Sequence, residues 1–352
     1  MPRWVSTANG GLENRGKGMD WIDTWLIPIV ISFVIGFGLL IGFAYTTWIE
    51  RRGYGLFQLR RGPNRAGPFG LIQPWADAVK AFFKEELVPD TVDKVVYIIA
   101  PGIAMGMALL PFGVIPFGPT LHLFGREISL HLADVSMGLL WVLSVAGLGT
   151  YGIVLGGWSS NNKYSLLGAL RTTAQLLSYE LPLGFSILAV VLTVGSLKPS
   201  DIVAFQSPLP LLVLQPVAFL IFVISMFAEA NRSPFDLPET ENELTAGFST
   251  EYNGIKFALF FMAEYIHIIN AGALCTTLFL GGWRGPFVDQ VPILGLFYFS
   301  IKVIAVIFFF VWVRASLPRV RFDKSMAFNW KFLMPLGLAN LAVTAIVLAI
   351  IT

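Results

Sequence analysis

The sequence predicts an all-α integral membrane protein, a bundle of about eight transmembrane helices with an amphipathic interfacial helix in the first loop. Two features of composition and one of pattern predict this class. The mean hydropathy is +0.71, and 55% of the 352 residues are hydrophobic while only 13% are charged. The pattern is a series of segments that approach or exceed the roughly 20 apolar residues needed to cross hydrocarbon.

The predicted membrane spans number eight, and little chain remains between them. They cover residues 25–48, 95–117, 131–157, 173–197, 211–229, 255–281, 291–313 and 331–351. We therefore expect one transmembrane domain over residues 21–352, preceded by a polar N-terminal extension over residues 1–20 with no cleavable signal peptide. The 34 glycines and 21 prolines suit a packed helical bundle, because small residues let membrane helices approach closely.

The first loop holds the interfacial helix. From Leu71 to Leu87 apolar residues recur at spacings of three and four, with charged residues between them, which predicts an amphipathic helix lying in the membrane interface. Five arginines precede it between Glu50 and Arg65. A lipid-surface helix explains this loop as well as a docking surface for a soluble partner does.

The basic residues predict which side of the membrane each loop faces. With eight spans, the odd-numbered loops (1–2, 3–4, 5–6 and 7–8) hold about 16 Lys and Arg, and the N-terminal tail with the other loops holds about 6. The positive-inside rule places the odd-numbered loops in the cytoplasm and both termini outside a bacterial-type plasma membrane.

Acidic residues inside or beside the predicted spans are the best indication of function. Residues 229–251 carry six carboxylates and one arginine, namely Glu229, Arg232, Asp236, Glu239, Glu241, Glu243 and Glu251. Glu180 and Glu264 lie within spans 4 and 6. Intramembrane acids are expensive and usually mark an ion or proton path, which we favour for these two. Asp134, expected to open span 3, and Lys302, within span 7, are better interpreted as structural charges.

Several chemistries are excluded or disfavoured by what the sequence lacks. The single Cys275 cannot ligate an iron–sulfur cluster, and the wide separation of the three histidines argues against haem or zinc. A formal GxGxxG at Gly147–Gly152 falls inside an apolar span, so helix packing explains it better than dinucleotide binding. We expect no cofactor, no metal site, no nucleic-acid partner and no complete catalytic site in this chain alone.

Long motifs then show a family resemblance. They include Gln58-Leu-Arg-Arg-Gly-Pro-Asn-Arg-Ala-Gly-Pro68, Ser178-Tyr-Glu180, Ala228-Glu-Ala-Asn-Arg-Ser-Pro-Phe-Asp-Leu-Pro-Glu239 and Val313-Arg-Ala-Ser-Leu-Pro-Arg-Val-Arg-Phe-Asp323. The chain resembles the H subunit (subunit 1) of NADH–quinone oxidoreductase, respiratory complex I, from about residue 45 to residue 325. The first 20 residues match nothing in that family.

The resemblance implies a membrane subunit of a proton-pumping enzyme, with quinone as substrate. It implies that NADH, flavin and iron–sulfur clusters are bound by partners, which comprise soluble quinone-site subunits and small and antiporter-like membrane subunits. By motif position, the residues implied for the quinone chamber are Glu50, Arg51, Arg61, Arg65, Phe261 and Arg314. Those implied for the proton path are Glu180, Glu229, Asp236, Glu239, Glu241, Glu243 and Glu264.

Two other functions remain open at this point. The chain could be the membrane anchor of an energy-converting hydrogenase-type complex, although the string Asn231-Arg-Ser-Pro-Phe-Asp-Leu-Pro238 and the Arg-rich loop favour the quinone enzyme. It could also be a free-standing proton or cation transporter. Its large cytoplasmic loops and the absence of visible inverted repeats speak against that role.

Overall fold

A computed structural model describes residues 25–123, 126–207, 209–236, 245–288 and 290–351. Within this part of the chain the architecture is a helical bundle with a single two-stranded hairpin, and the predicted fold class is confirmed. Seven helices are long and apolar enough to cross a membrane: Pro28–Phe57, Lys94–Gly113, Gly138–Ser159, Lys163–Val194, Gly254–Phe279, Ile293–Ser316 and Phe322–Ile351.

Helix α1 (Ile27–Phe57) continues nine residues beyond the predicted span. Its 31 residues measure roughly 46 Å, more than the roughly 30 Å of hydrocarbon. A Cβ atom added at Gly53 would lie 2.6 Å from Cγ1 of Val311, so glycine permits close packing of α1 on a neighbouring helix. The extension matters because it places Glu50 and Arg51 on a rigid helix rather than in a loop.

Helix α2 (Gln73–Phe83) is the predicted amphipathic helix, shorter than the expected 71–87. It begins with Pro74, whose fixed φ suits the first turn of a helix. Trp75, Val79 and Phe82 are exposed on the described chain, while Asp77 faces α1 through an ion pair. The segment between α1 and α2 contains a short 3₁₀ turn, Pro68–Gly70.

Helices α3 (Lys94–Leu109) and α4 (Gly138–Ser159) pack against each other and enclose the hairpin region between them. The Asp93 side chain caps α3 by accepting from the backbone N–H of Val95 at 3.2 Å. A Cβ atom at Gly152 would lie 2.7 Å from the backbone nitrogen of Ala104. The glycine-rich motif thus lies in a membrane helix and brings α4 close to α3.

Three features between α3 and α4 differ from the prediction. A 3₁₀ turn, Leu110–Gly113, continues α3. A β-hairpin then pairs β1 (Leu121–Leu123) antiparallel to β2 (Arg126–Ile128), which the hydropathy pattern did not indicate. Helix α4 begins at residue 138 instead of 131, so Asp134 lies in the preceding loop and does not open the span.

Helix α5 (Lys163–Val194) begins ten residues before the predicted span. The Asn162 side chain caps it by accepting from the backbone N–H of Tyr164 at 3.0 Å. Gly195 ends it in the left-handed conformation at φ 77°, which glycine adopts without strain. Like α1, its 32 residues extend beyond the hydrocarbon thickness. A short helix, α6 (Pro199–Phe205), follows.

The predicted fifth span is divided. Helix α7 (Leu211–Leu214) ends at Gln215, and α8 (Pro216–Glu229) begins at the proline. Steric clash with a following proline disfavours helical dihedrals, and Gln215 has φ −129° and ψ 59°. Its longer part is therefore only 14 residues, which is why the described chain has seven full-length spans rather than eight.

The last elements are α9 (Gly254–Phe279), α10 (Ile293–Ser316), α11 (Phe322–Phe328), a π turn (Asn329–Leu333) and α12 (Met334–Ile351). Helix α9 is the most buried of the spans, and α1 and the C-terminal helix are the least. The Lys302 ammonium donates to the carbonyl oxygens of Leu280, Gly282 and Arg284 at 2.8, 2.9 and 2.8 Å. It thereby satisfies carbonyls at and just beyond the end of α9, a favourable place for a cation.

The loops form two groups at opposite ends of the bundle. At one end, Asn162 donates to Glu251 at 2.6 Å, and the backbone N–H of Val320 donates to the carbonyl oxygen of Pro234 at 2.9 Å. These contacts join the odd-numbered loops. At the other end, Lys198 pairs with Asp134 at 2.6 Å. Burial raises the pKa of Asp134, but hydrogen bonds from Lys198 and Ser200 outweigh burial and hold it below its ordinary value.

Candidate functional site

A buried charge cluster lies where the cytoplasmic ends of α1, α8, α9 and α10 meet by the predicted topology. Glu50, two turns before the end of α1, is only 6% exposed. Its carboxylate accepts from the guanidinium of Arg314, which occupies the last turn of α10. The same carboxylate oxygen lies 3.9 Å from Nη1 of Arg232. A buried carboxylate is tolerated only when it is paired in this way.

Arg232 is the centre of this cluster. It follows α8 directly and is 3% exposed. Its second terminal nitrogen, Nη2, lies 3.7 Å from Oε2 of Glu264 on α9, so one guanidinium bridges carboxylates on two different helices. Its Cζ atom also stands 4.4 Å from the ring centre of Tyr265, a favourable cation–π distance. Glu50 and Glu264 are thus joined through Arg232.

An apolar cavity of about 370 Å³ opens beside the charge cluster, between α1, α2 and α9. Its charged lining residues are Arg51, Asp77, Lys80 and Lys84. Arg51 donates to Asp77 at 2.5 Å, which ties α1 to α2 across the cavity. Phe261 lines the wall, and its ring centre is 4.8 Å from that of Tyr265. The cavity wall and the charge cluster are therefore in direct contact.

A second, much smaller cavity of about 30 Å³ lies deeper among the helices. Three ionisable side chains line it: Glu229 at the end of α8, and Glu264 and His267 on α9. Glu180 on α5 is close enough to Glu229 to interact with it electrostatically. A Cβ atom at Gly147 would lie 3.1 Å from Oε1 of Glu180, so the glycine leaves room for this carboxyl group.

The acidic groups consequently form a chain of neighbours. It leads from Glu50 through Arg232 to Glu264, across the small cavity to Glu229, and on to Glu180. Such an arrangement can pass on a change of charge, because a proton gained or lost by one member alters the electrostatic energy of the next.

The other residues implied by the resemblance are not brought into this arrangement. Arg61 and Arg65 are exposed in the loop before α2 and line neither cavity. Asp236 is buried but pairs with Arg319 of the last loop at 3.2 Å. Glu239, Glu241 and Glu243 lie outside the described residues.

Comparisons with known proteins establish the family. The model of the NADH dehydrogenase family matches residues 29–345. The first of the H subunits of NADH-quinone oxidoreductase from Geobacter metallireducens is 50% identical over 315 residues, which are 90% of this chain and 94% of the relative. The H subunits from Syntrophotalea carbinolica and Thermomicrobium roseum are each 48% identical, over 92% and 94% of this chain and 97% and 98% of the relative.

The chain belongs to the H-subunit family of NADH-quinone oxidoreductase. This confirms the resemblance found in the sequence, and it confirms the interpretation of the chain as a subunit of an enzyme rather than a complete enzyme. The expectation of a multi-pass membrane protein is confirmed by the helices together with these relatives.

Sequence reasoning missed several members of the site. Arg232 was visible as the one arginine within the acidic segment, but its role as a bridge was not predicted. Asp77 was noted only as a charge on the amphipathic helix, and His267 only as one of three scattered histidines. A spacing of three residues on α9 puts His267 on the same face as Glu264, and this was the available signal.

Proposed function

We propose that this subunit forms the membrane part of the quinone chamber of NADH–quinone oxidoreductase and the start of its acidic proton path. The observation that carries the proposal is the bridge from Glu50 through Arg232 to Glu264. It links the wall of a large apolar cavity to carboxyl groups deep in the bundle. A site with this arrangement couples chemistry at one end to protonation at the other.

The larger cavity supports the binding of a quinone. A quinone has a long apolar tail and a polar head, so it needs an apolar slot with charged groups near its inner end. The cavity between α1, α2 and α9 offers aromatic and aliphatic walls, with Arg51 and Asp77 on its lining. Electrons come from soluble partner subunits that bind NADH, flavin and iron–sulfur clusters, and this chain supplies the membrane side of the chamber.

The small cavity and its acids support proton transfer. Reduction of a quinone to a quinol takes up two protons, which changes the charge near Glu50. That change acts on Arg232 and Glu264, then on Glu229 and Glu180, because opposite or like charges at these distances shift proton affinity. We assign Asp236, Glu239, Glu241 and Glu243 to the entrance of the path, and the small and antiporter-like membrane subunits to its far side.

The proposed orientation places the odd-numbered loops in the cytoplasm. We expect a cysteine introduced at Asn161 to react with a membrane-impermeant maleimide only from the cytoplasmic side, and one introduced at Gln290 only from the outside. Both native residues are exposed. The native Cys275 is buried and gives little background. Equal labelling from both sides, or reversed sidedness, would reject this topology.

Arg51 is expected to act on quinone rather than on the protein's stability. Replacing Arg51 with Ala removes the ion pair with the partly exposed Asp77 and one charge from the cavity lining. Since exposed ion pairs contribute only about 0–1 kcal/mol, assembly should persist. We expect the KM for a short-chain quinone to rise severalfold and inhibitor sensitivity to change, while NADH oxidation by a hydrophilic artificial acceptor is preserved.

Arg60 provides the matched control. It lies in the same loop region, is exposed, and lines neither cavity. Arg60→Ala should leave quinone kinetics unchanged. If Arg51→Ala and Arg314→Ala, alone and combined, assemble and keep normal quinone kinetics, the chamber assignment is wrong.

A further inference from the structure

His267 occupies a position that the acidic path does not yet use. It lies on α9, three residues after Glu264, and therefore on the same face of the helix. It lines the 30 Å³ cavity together with Glu229 and Glu264. Among the described residues that line this cavity it is the only one whose side chain can become a cation near neutral pH.

The helix opposite leaves space for the imidazole ring. A Cβ atom built at Gly149 on α4 would lie 3.9 Å from both Cε1 and Nε2 of His267. The Nε2 edge of the ring therefore faces a position of α4 that carries no side chain. The cavity beside it is lined by Thr150 and Asn231 as well as by the two carboxyl groups, so polar atoms surround the open space.

The ring nitrogens lack protein partners within the described chain. No residue that the structure describes hydrogen-bonds to the side chain of His267. A polar group inside a membrane bundle needs a partner, because leaving it unsatisfied costs several kcal/mol in an apolar medium. A cavity of about 30 Å³ exceeds the roughly 10–15 Å³ that one water molecule requires. Water in this cavity is the partner that fits.

We propose that His267 is a relay residue in the proton path, connected to Glu264 and Glu229 through water in this cavity. The neutral imidazole accepts a proton at one ring nitrogen from a protonated carboxyl group by way of the water. It then releases a proton from the ring to the other carboxylate and becomes neutral again. No bond other than those to hydrogen changes, and the inference rests on the acidic path proposed above.

The test compares His267→Gln with His131→Gln in the assembled complex reconstituted into proteoliposomes. Glutamine keeps polarity and approximate size but cannot exchange a proton at neutral pH. His131 lies in the loop at the opposite end from the charge cluster, near Asp134, and lines neither cavity. The readouts are quinone-dependent NADH oxidation, protons pumped per NADH, and the ratio of rates in H₂O and D₂O.

For His267→Gln we expect about a tenfold loss of coupled turnover, less than the 10²-fold or more for a proton donor in direct contact, because water replaces the ring only in part. The solvent isotope effect should increase, since proton transfer becomes slower than the other steps. NADH oxidation by a hydrophilic acceptor should be unchanged, and His131→Gln should resemble the wild type in every readout.

The outcomes separate this inference from the proposed path. Normal turnover and isotope effect in His267→Gln, with large losses in Glu180→Gln and Glu264→Gln, would overturn the role of His267 alone. Normal behaviour in all three variants would overturn the acidic path as well. If His267→Gln fails to assemble, His267→Asn is measured instead, and failure of both would show that the ring serves packing and would also overturn the relay.

Discussion

Replacing Glu264 with Gln is expected to reduce quinone-dependent NADH oxidation and proton pumping together, by tenfold or more, given that proton-transfer groups contribute about 10²–10⁴ in rate. Glu264 has two positions in the site at once: it pairs with Arg232 at 3.7 Å and lines the small cavity with Glu229 and His267. Glutamine keeps its shape but removes both the charge and the exchangeable proton.

Glu180→Gln should have a similar effect for the same reason, because Glu180 is the neighbour of Glu229 at the far end of the chain of acids. Turnover is measured with a short-chain quinone and pumping with a pH-sensitive dye. Glu86→Gln is the matched control, since Glu86 is a partly exposed carboxylate that pairs with Lys256 away from the small cavity. If both membrane variants assemble with wild-type turnover and proton stoichiometry, these acids are structural.

Replacing Arg232 with Met should prevent assembly of the complex or strongly reduce it. Arg232 compensates carboxylates on two helices in a region where it is only 3% exposed. Removing one partner of a buried ion pair typically destabilises a protein by about 3–5 kcal/mol, because the remaining charge is left without compensation. The amount of assembled complex in detergent extracts, measured on native gels, reports the effect.

A second substitution tests this electrostatic cause. Adding Glu264→Gln to Arg232→Met removes one of the two uncompensated carboxylates, so assembly should recover in part even though turnover stays low. Arg321→Met is the control, because Arg321 pairs with Asp323 on an exposed surface and such pairs contribute little. Loss of assembly that Glu264→Gln does not relieve would mean that Arg232 acts through packing and not through charge.

Hydropathy and motif, both local properties of the chain, were sufficient for the fold class and the family. Each apolar segment is recognised from about 20 consecutive residues. The positions of Glu180 within α5 and Glu264 within α9 follow from the same short windows. Helix ends were less well predicted, because amphipathic extensions such as residues 49–57 of α1 are stabilised by packing rather than by hydropathy. The division at Pro216 was locally encoded but hidden inside an apolar run.

The sequence by itself determined that acids lie in membrane helices, and only the tertiary structure decided which of them meet. Glu50 and Arg314 are separated by 264 positions yet form one ion pair. Arg232 reaches carboxylates on two other helices, and His267 shares a cavity with Glu229. The physical reason is that hydropathy acts along the chain, residue by residue. The pairing of buried charges depends on helix packing, which brings distant side chains to within a few ångströms and excludes the water that would otherwise screen them.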